Sequence, residues 1–441
     1  MKVNLAFGKT GLPLELPDEY RYCVLEARSA TPLADAARAI ERALDAPIGR
    51  PPLEELARGK KSVAISVCDI TRPVPNGLTL PPILARLERA GIPREGITIL
   101  IATGLHRGAT DAEIREIVTP EIAAAYRVEN HDARKLASHR PLGKTRSGTD
   151  VYIDERFVAA DLHITLGLIE PHLMLGFSGG RKLVAPGLAA QETIKVLHSP
   201  RFMRMPEVIE GVVESNLLHE ELLEIARMAR HDFLCDVALA QDRRVAGVFA
   251  GEPVEAHRRG VEFVSHALLE QLDAPVDAVI TSSAGYPLDL TFYQAIKGVT
   301  AAQHIVKPGG RILLVAECSE GAGAPEFREM LRGLGSYRGF LDRIAHGAVT
   351  VDQWQIEKLA LVGTRMEIFY YVPGLPQEYQ DAFGANTFSS LDAALRAFTS
   401  GLPAGASVAV IPEGPYVLAR ASAPSFSGRA GKLFSPETAT R

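Results

Sequence analysis

Residues 62–104 read SVAISVCDITRPVPNGLTLPPILARLERAGIPREGITILIATG, and this stretch decides the fold class of the chain. Its two ends, Ser62–Asp69 and Ile97–Gly104, are apolar runs of strand length, and Leu80–Ala90 between them has apolar residues at helical spacing. Two strands joined by a helix form a parallel pair, because a parallel connection needs a crossover. The stretch therefore predicts an α/β domain with a largely parallel sheet.

The same alternation of strands and helices continues on both sides of this stretch. The other predicted elements of the first half are strands at Val3–Phe7, Tyr20–Leu25, Tyr126–Asp132, Leu162–Leu168 and Phe233–Ala240, and helices at Leu33–Leu44, Asp111–Val118, Leu217–Arg230 and Val254–Leu269. Those of the second half are strands at Ala278–Thr281, Arg311–Ala316, Ile368–Val372 and Ser407–Ile411, helices at Tyr293–Ile305, Gln353–Leu361 and Leu391–Phe398, and a turn at Lys307–Gly310. The predicted linker between the two series is Asp273–Pro275.

Two series of this kind predict two α/β domains with largely parallel sheets and an active-site cleft between them. We expect an N-terminal domain of residues 1–272, which includes the two early strands, and a C-terminal domain of residues 273–441. The last stretch, Ser422–Arg441, is rich in Ser, Ala, Gly and Thr and is expected to be loosely ordered.

Composition excludes several classes of protein. The chain has 441 residues, of which 46% are hydrophobic and 23% charged, as in ordinary soluble globular proteins. Its net charge of -5 offers no attraction to a polyanion, so we expect no nucleic-acid partner. Four cysteines lie far apart, and no apolar run approaches the roughly 18 residues of a membrane helix or forms a secretory signal. We expect a cytoplasmic protein without a membrane partner.

Polar residues that follow the predicted strands are the candidate ligand contacts, because ligands of α/β sheets bind at the carboxyl ends of strands. After the first strand comes Asp69-Ile70-Thr71-Arg72, where the guanidinium could bind a carboxylate or phosphate, or simply pair with Asp69. After the second strand, His106 lies on a glycine-flanked turn, where it could be catalytic or only solvated.

The densest polar segment is Gly167–Gly187, GLIEPHLMLGFSGGRKLVAPG. Five glycines and two prolines within it exclude a regular helix or central strand, so its backbone is expected to approach something closely. The amides of Ser178–Gly180 could bind an anion, with charge added by Arg181 and Lys182, although the spacing is not that of a P-loop. His198 ends the next predicted helix, Glu192–His198, either as a terminal cation or as a ligand.

In the second half, a helix that begins at Thr291 would place Gln294 and Lys297 on one face, with Tyr293 four residues before the lysine. These groups could converge on one anion, or they could form an ordinary exposed face. Trp354 lies among polar residues, which favours a ligand-facing or an interface position equally.

Taken together, these segments resemble the nickel-dependent lactate racemase family of 2-hydroxy-acid racemases and epimerases. The matching segments, in chain order, are DITRPVPN, ATGLHRG, NHD, GLIEPHLMLGFSGGRKLVAPG, TIKVLH and FYQAIKG, followed by the tryptophan at position 354. The resemblance covers both predicted domains.

The resemblance implies a nickel pincer nucleotide, a pyridinium mononucleotide with two sulfur arms that hold Ni(II), joined through a thioamide to Lys182. By motif position His198 would be a nickel ligand, and a planar Ni(II) site with sulfur ligands and one imidazole agrees with general metal preferences. His106 and His172 would be the general acid and base on opposite faces of the substrate.

The remaining site residues follow from the same resemblance. Asp69, Ile70, Thr71 and Arg72 would form the loop on the cofactor side, with Arg72 also near the substrate. Tyr293, Gln294 and Lys297 would contact the substrate carboxylate, and Trp354 would form a wall of the cofactor site.

The implied reaction inverts C2 of a 2-hydroxy acid, lactate or a larger one, by hydride transfer through a 2-oxo acid. Cofactor-biosynthesis proteins are the implied partners; the sequence leaves the oligomeric state and the roles of Arg181, His131 and His163 open.

Two other functions remain open on the residues themselves. A nicotinamide-dependent 2-hydroxy-acid dehydrogenase shares the two-domain plan, but no GxGxxG follows a strand and opens a helix here. A non-catalytic nickel- or nucleotide-binding protein would use Lys182 and His198 but would have no use for His106 and His172.

Overall fold

The structure is a computed structural model that describes residues 1–422. Its strands are β1 (Lys2–Leu5), β2 (Leu12–Glu15), β3 (Arg21–Val24), β4 (Val63–Cys68), β5 (Ile97–Ala102), β6 (Arg127–Asn130), β7 (His139–Lys144), β8 (Asp150–Asp154), β9 (Leu162–Leu168), β10 (Pro171–His172), β11 (Gly176–Phe177), β12 (Phe233–Leu239), β13 (Val245–Gly251), β14 (Leu269–Leu272), β15 (Val276–Ser282), β16 (Val306–Val315), β17 (Glu367–Tyr371), β18 (Ser407–Ile411) and β19 (Leu418–Ala421).

Its α-helices are α1 (Ala36–Asp45), α2 (Leu53–Ala57), α3 (Asn76–Arg89), α4 (Asp111–Val118), α5 (Pro120–Ala125), α6 (Glu155–Val158), α7 (Gln191–Leu197), α8 (Pro200–Met203), α9 (Leu217–Met228), α10 (Pro253–Leu268), α11 (Phe292–Ala302), α12 (Pro325–Arg332), α13 (Tyr337–Ile344), α14 (Gln353–Gly363), α15 (Gln377–Gln380) and α16 (Leu391–Thr399). No helix within residues 1–422 is long and apolar enough to cross a bilayer.

The first sheet has the strand order β13-β12-β9-β4-β5-β6, and every neighbouring pair is parallel except β12 and β13. Side chains alternate between its faces, as the period of two residues requires. Ile65 and Ile99 pack against α1 to α5, whereas Ala64 and Leu100 pack against α6 to α9. Both faces are therefore covered, which explains why the strands are almost continuously apolar.

The second sheet has the order β17-β16-β15-β18-β3 and is parallel throughout. Val279 and Leu314 face α11 to α14, and Ile280 and Leu313 face α16 and the β1–β2 hairpin. The predicted α/β class with largely parallel sheets is confirmed. We call the first sheet with α1 to α10 the first lobe, and the second sheet with β1, β2 and α11 to α16 the second lobe.

One predicted strand lies in the other sheet. The strand predicted at Tyr20–Leu25 forms β3, but β3 pairs with β18 at the edge of the second sheet rather than with the strands of the first half. The strand predicted at Val3–Phe7 forms a separate hairpin with β2 that packs on the second sheet. Local pattern identifies a strand but not its partner, which is chosen by long-range packing. The division of the chain at residue 272 stays a prediction.

A second difference concerns the turn predicted at Lys307–Gly310. These residues lie inside β16, which begins at Val306, five residues before the strand predicted at Arg311. Val306 pairs with Val276 and Arg311 pairs with Ala278, so the residues between them form a bulge in the ladder, with Gly309 at a φ of +75°. The part of the predicted loosely ordered stretch beyond Ser422 lies outside the described residues.

The two lobes meet through α14, which belongs to the second lobe and packs on α8 of the first. Lys358 is almost fully buried and donates to the carbonyl oxygens of Met203 and Val208, at 2.9 and 2.6 Å. Next to it Glu357 forms a 2.8 Å ion pair with Arg204. A helix held by such buried polar contacts fixes the side chains near its start, and these include Trp354.

Candidate active site

Three loops that follow parallel strands of the first sheet bring the predicted site residues together. β9, β4 and β5 are neighbours in that order, so their carboxyl ends lie side by side. The loop after β4 carries Asp69 and Arg72, the loop after β5 carries His106, and the segment after β9 carries Glu170 and His172. The site therefore lies where the strand rule for α/β sheets predicts it.

His106 is paired with a carboxylate. Its Nδ1 lies 2.6 Å from Oδ2 of Asp69, and because a carboxylate only accepts, Nδ1 carries the proton and donates it. The hydroxyl of Thr71 donates to the other oxygen, Oδ1, at 2.5 Å. The imidazole is 63% exposed although its partner is buried, so its Nε2 faces the open side. This is the arrangement of a general base oriented by a carboxylate.

The charge state of Asp69 follows from two opposing effects. Burial alone would raise the pKa of its carboxyl group, but the hydrogen bonds from His106 and Thr71 and the charge of His106 outweigh burial and lower the pKa below its ordinary value. Asp69 is therefore ionised at neutral pH and can stabilise a proton that arrives on the imidazole.

Arg72 pairs with Glu170 and not with Asp69. Its Nε lies 2.8 Å from Oε1 of Glu170, and the charge of Glu170 raises the pKa of the guanidinium. The Asp69–Arg72 ion pair considered from the sequence is thus absent from the described site, because each of the two residues has a closer partner on a neighbouring loop. Glu170 was not singled out from the sequence, although its position two residues after the end of β9 was a signal that could have identified it.

Positive charge gathers around His172. Burial, and then the charge of Arg72, lowers the pKa of Lys182 to about 8 and that of Lys297 to about 7. The pKa of His172 lies well below its ordinary value, first because of burial and then because of Lys182 and Arg72. His172 is therefore neutral in a cleft with an excess of cations, and such a cleft suits an anionic ligand.

Lys182 lies on a loop whose backbone is held by a hydrogen bond to Asp236 on β12. The amide of Gly180 donates to Oδ2 of Asp236 at 2.7 Å. Gly179 has a φ of +84°, and a Cβ at that position would come within 2.5 Å of the same oxygen, so only glycine fits. Burial raises the pKa of Asp236 to about 7.

Arg181, beside Lys182, points the opposite way, into the core. It is 1% exposed, and its guanidinium donates to the carbonyl oxygens of Gly179, Leu175 and Phe177. One of its nitrogens also lies 2.7 Å from Nε2 of His257. Burial lowers the pKa of the guanidinium to about 9. Its role is to hold the loop.

The predicted anion cradle at Ser178–Gly180 is therefore wrong. The amide of Ser178 donates to the carbonyl oxygen of Glu170 at 2.9 Å, and that of Gly180 donates to Asp236. Two of the three amides of this turn therefore already have acceptors within the protein. Sequence alone does not reveal this, because Asp236 lies on β12, far along the chain.

His198 is a neutral imidazole with one nitrogen left over. Its Nδ1 donates to the carbonyl oxygen of Ile194 at 2.8 Å, which fixes the tautomer and leaves the lone pair of Nε2 available. Burial lowers its pKa to about 4, so the alternative of a helix-terminal cation is wrong. These are the properties of a histidine that can bind a metal ion. Within residues 1–422 no three His, Cys, Asp or Glu side chains are grouped closely enough to hold one.

Trp354 reaches His198 from the other lobe. The two rings lie 4.5 Å apart between centroids, and the tryptophan is 6% exposed. Its Nε1 donates to the hydroxyl of Tyr293 at 3.3 Å. Trp354 is therefore an interface residue that packs against His198, and its role as a ligand-facing wall stays a prediction.

The N-terminal part of α11 faces the same cleft. Gln294 has a buried Oε1 without a hydrogen-bond partner among the described residues, and a buried acceptor of this kind needs a ligand or water. Lys297 lies one turn further along α11, and the charges of Arg72, Glu170 and Lys182 on the first lobe act on its pKa. Asp352, at the start of α14, is a carboxylate that the sequence did not single out; it is hydrogen-bonded to Tyr293 and close enough to His106 for the charge of the histidine to act on it.

The two histidines without a predicted role are structural. His131 and His139 are both buried, with their Nε2 atoms 2.9 Å apart, and burial lowers the pKa of His131 to about 4. His163 is fully buried and its Nδ1 lies 2.7 Å from Asp232. Neither reaches the cleft.

Two family models match the chain. The model of the lactate racemase N-terminal domain covers residues 7–210, and that of the lactate racemase C-terminal domain covers residues 272–419. The lactate racemase of Thermoanaerobacterium thermosaccharolyticum is 32% identical over 423 residues, 95% of this chain and 99% of its own. That of Lactiplantibacillus plantarum is 33% identical over 425 residues, again 95% and 99%.

Solved structures give the same result. The lactate racemase apoprotein from Thermoanaerobacterium thermosaccharolyticum superposes with a TM-score of 0.89 at 32% identity, covering 95% of this chain and all of its own. A protein from Thermotoga maritima superposes with a TM-score of 0.65 at 17% identity, covering 89% of this chain and 100% of its own, which shows a shared fold only.

The support under Lys182 leads to a stability prediction. Arg181→Ala removes the guanidinium donor from three buried carbonyl oxygens, of which only that of Gly179 keeps a further donor, the amide of Lys182. We therefore expect the free energy of unfolding to fall by about 3 kcal/mol in urea titrations. The matched control is Arg107→Ala, which removes an exposed arginine paired with Glu113 and should cost less than about 1 kcal/mol. Equal losses for the two variants would contradict the role given to Arg181.

Proposed function

The chain belongs to the lactate racemase family, and on this basis we propose that it inverts the C2 stereocentre of lactate or a related 2-hydroxy acid. Family membership makes the protein an isomerase. The observation that carries the substrate class is the pair of imidazoles, His106 after β5 and His172 after β9, at the ends of the two strands that flank β4 and beside a cluster of cations. Inversion needs an acid/base group on each face of the substrate and a fixed site for its carboxylate.

The substrate carboxylate would be held by groups from both lobes. Arg72 offers a planar guanidinium from the first lobe, and Lys297 offers an ammonium from α11 of the second. Gln294 and Tyr293 on the same helix would complete the substrate contacts. The Nε2 group of Gln294 can donate to the carboxylate, and its buried Oε1, which has no partner among the described residues, can accept from the substrate hydroxyl. A carboxylate between two lobes also explains the excess of positive charge, which one Glu170 does not balance.

The two histidines would exchange the hydroxyl proton of the substrate. His106 would accept it at Nε2, and the ionised Asp69 would stabilise the imidazolium that forms. His172, whose Nδ1 lies 3.4 Å from the amide nitrogen of Met174, would serve the opposite face. For the other enantiomer the two roles are exchanged. A 2-oxo acid intermediate would be held by Arg72 and Lys297 until the proton returns.

The cofactor that fits these residues is a nickel pincer nucleotide. Lys182 would carry it, because its amine is buried at the cleft and its lowered pKa of about 8 leaves a usable fraction of neutral nucleophile. His198 would bind the metal at Nε2, and Trp354 would cover the imidazole. Asp69, Ile70, Thr71 and Arg72 would form the adjoining loop. When bound, the cofactor supplies the acceptor and donor of the C2 hydrogen as hydride.

The finer points of this proposal follow from the same residues. The N-terminal part of the chain, residues 1–272, would hold the cofactor and both histidines, and the C-terminal part, residues 273–441, would supply substrate contacts. Proteins that synthesise the cofactor would be the partners. The four cysteines are all free thiols, which suits the reducing cytoplasm.

Attachment of the cofactor is tested by intact mass and nickel content. We expect the wild-type chain, produced together with cofactor-biosynthesis proteins, to carry a covalent adduct and about one nickel per chain. Lys182→Arg keeps a cation but cannot form a thioamide, so its mass should be that of the bare chain. An unmodified wild type, or an adduct that persists in the variant, would contradict the assignment of Lys182.

The roles of the two histidines are tested by single substitutions in the loaded enzyme. His106→Ala and His172→Ala should each lower the racemisation rate at least about 100-fold while leaving the nickel content nearly unchanged, because neither residue is assigned as a metal ligand. His266→Ala, an exposed residue of α10, is the control and should be fully active. Parallel loss of nickel in both site variants would instead make them cofactor ligands and would favour a carrier function.

The titration of Lys297 predicts how the KM for a 2-hydroxy acid depends on pH. A lysine with a pKa of about 7 is charged below that pH and loses its charge as the pH rises through it. The KM for a 2-hydroxy acid should therefore rise above pH ~7, by up to about tenfold per pH unit. Lys297→Arg keeps its charge at all these pH values and should give a flat KM profile. A wild-type KM that does not change between about pH 6 and 8.5 would remove Lys297 from carboxylate binding.

A further inference from the structure

Glu210 is a buried carboxylate that lies between the lobes and takes no part in the chemistry described above. Its Oε1 accepts a hydrogen bond of 2.8 Å from the hydroxyl of Thr300, and its Oε2 lies 2.8 Å from Nε2 of His304. Its backbone carbonyl accepts from the guanidinium of Arg420. Thr300 and His304 of the second lobe, together with Arg420 on β19, thus bind one residue of the first lobe.

On the first lobe, the segment around Glu210 is bonded to the hairpin that carries His172. The amide of Gly176 donates to the carbonyl oxygen of Ile209 at 3.1 Å, and the amide of Gly211 donates to that of Gly176 at 2.9 Å. Gly176 is the direct partner of His172 across β10 and β11. The approach is so close that a Cβ on Gly176 would lie 2.3 Å from the carbonyl oxygen of Val212. A shift of Glu210 is therefore transmitted to His172 through two backbone hydrogen bonds.

On the second lobe, the partners of Glu210 are part of α11 or follow directly after it. Thr300 is one turn beyond Lys297 on this helix, and its hydroxyl also lies 3.1 Å from the carbonyl oxygen of Lys297. His304 lies two residues after the helix ends. The other end of the same helix carries Tyr293 and Gln294. The contact of Glu210 with Thr300 and His304 therefore fixes the position of α11 and, with it, the positions of the predicted carboxylate-binding side chains on this helix.

The contact is charged and shielded from water. Burial alone would raise the pKa of Glu210, but the hydrogen bond and charge of His304 and the hydrogen bond of Thr300 outweigh burial and lower it to about 2. Glu210 is therefore ionised at neutral pH. Arg420 and Lys358 are the cations that face it, and His304 completes the surroundings. Loss of this buried carboxylate leaves Nε2 of His304 without its acceptor and leaves the hydroxyl of Thr300 with only the carbonyl oxygen of Lys297.

We propose that Glu210 is a positioning residue that fixes the distance between His172 and the carboxylate-binding face of α11. The inference rests on the proposed function, because it concerns the alignment of a substrate between these two groups. Glu210 touches neither substrate nor cofactor. Its effect is geometric, and a misplacement of about 1 Å in an active site can lower the rate roughly 100-fold.

The test compares Glu210→Ala with Glu210→Gln in the nickel-loaded enzyme, with rates expressed per bound nickel. For Glu210→Ala we expect kcat to fall at least about tenfold with KM within about threefold of wild type, since the carboxylate site on α11 stays intact but His172 is displaced from it. Glu210→Gln keeps both side-chain contacts and should restore kcat to within about threefold. Glu413→Ala, which removes an exposed 2.9 Å contact with Gln241 between the lobes, is the control and should behave as wild type.

Hydrogen exchange of the unloaded protein gives a second readout that needs no activity. The amides of Gly176 and Gly211 should exchange faster in Glu210→Ala, but not in Glu210→Gln or Glu413→Ala. Unchanged exchange, or a kcat per nickel in Glu210→Ala within about twofold of wild type, would overturn the inference. A loaded wild-type enzyme that racemises no 2-hydroxy acid, together with faster exchange in Glu210→Ala, would overturn the proposed function and still support the contact made by Glu210.

Discussion

The buried contacts of Asp236 and Arg181 with one glycine-rich turn are the constraint on which the site depends. A turn with so few side chains has no packing of its own, and its amides and carbonyls would be left buried without partners. Asp236 accepts from the amide of Gly180, and Arg181 donates to three carbonyl oxygens of the same loop. With its backbone satisfied from the core side, the turn presents Lys182 to the cleft and holds His172 on the adjoining hairpin.

The cleft itself depends on both lobes. Arg72 and Lys182 come from the first lobe and Lys297 from the second, so the excess of positive charge exists only where the lobes meet. The cost of burying these cations is visible in the lowered pKa values of the two lysines. The interface compensates with its own buried polar contacts, of which Lys358 on two carbonyl oxygens is the clearest. An anion between the lobes would relieve the repulsion and draw them together, which links ligand binding to the closeness of the lobes.

The sequence predicted most features that depend on residues close together in the chain. The strands of the first sheet and the residues after them were found from apolar runs and from the rule for strand ends, and this rule located Asp69, His106 and His172. What failed depended on partners distant in the chain. The sequence predicts that Arg181 adds charge to an anion site, but in the structure its guanidinium contacts His257 in the core. It also predicts that β3 belongs to the first sheet, but β3 pairs with β18 of the second. The bulge at Lys307–Gly310 likewise carries turn residues but lies within a strand, because β15 supplies pairing on both sides of it.

The position of β3 has a consequence for the order in which the protein assembles. β3 is complete by Val24, but its only neighbour in the described sheet, β18, begins at Ser407. Between them the ribosome adds ~380 residues, which at roughly 5–20 residues per second takes on the order of tens of seconds. During this time the strands of the first lobe can pair with one another, while β3 has no partner strand to pair with. β3 is therefore made long before its partner strand, is among the last segments to pair, and forms the edge of the second sheet.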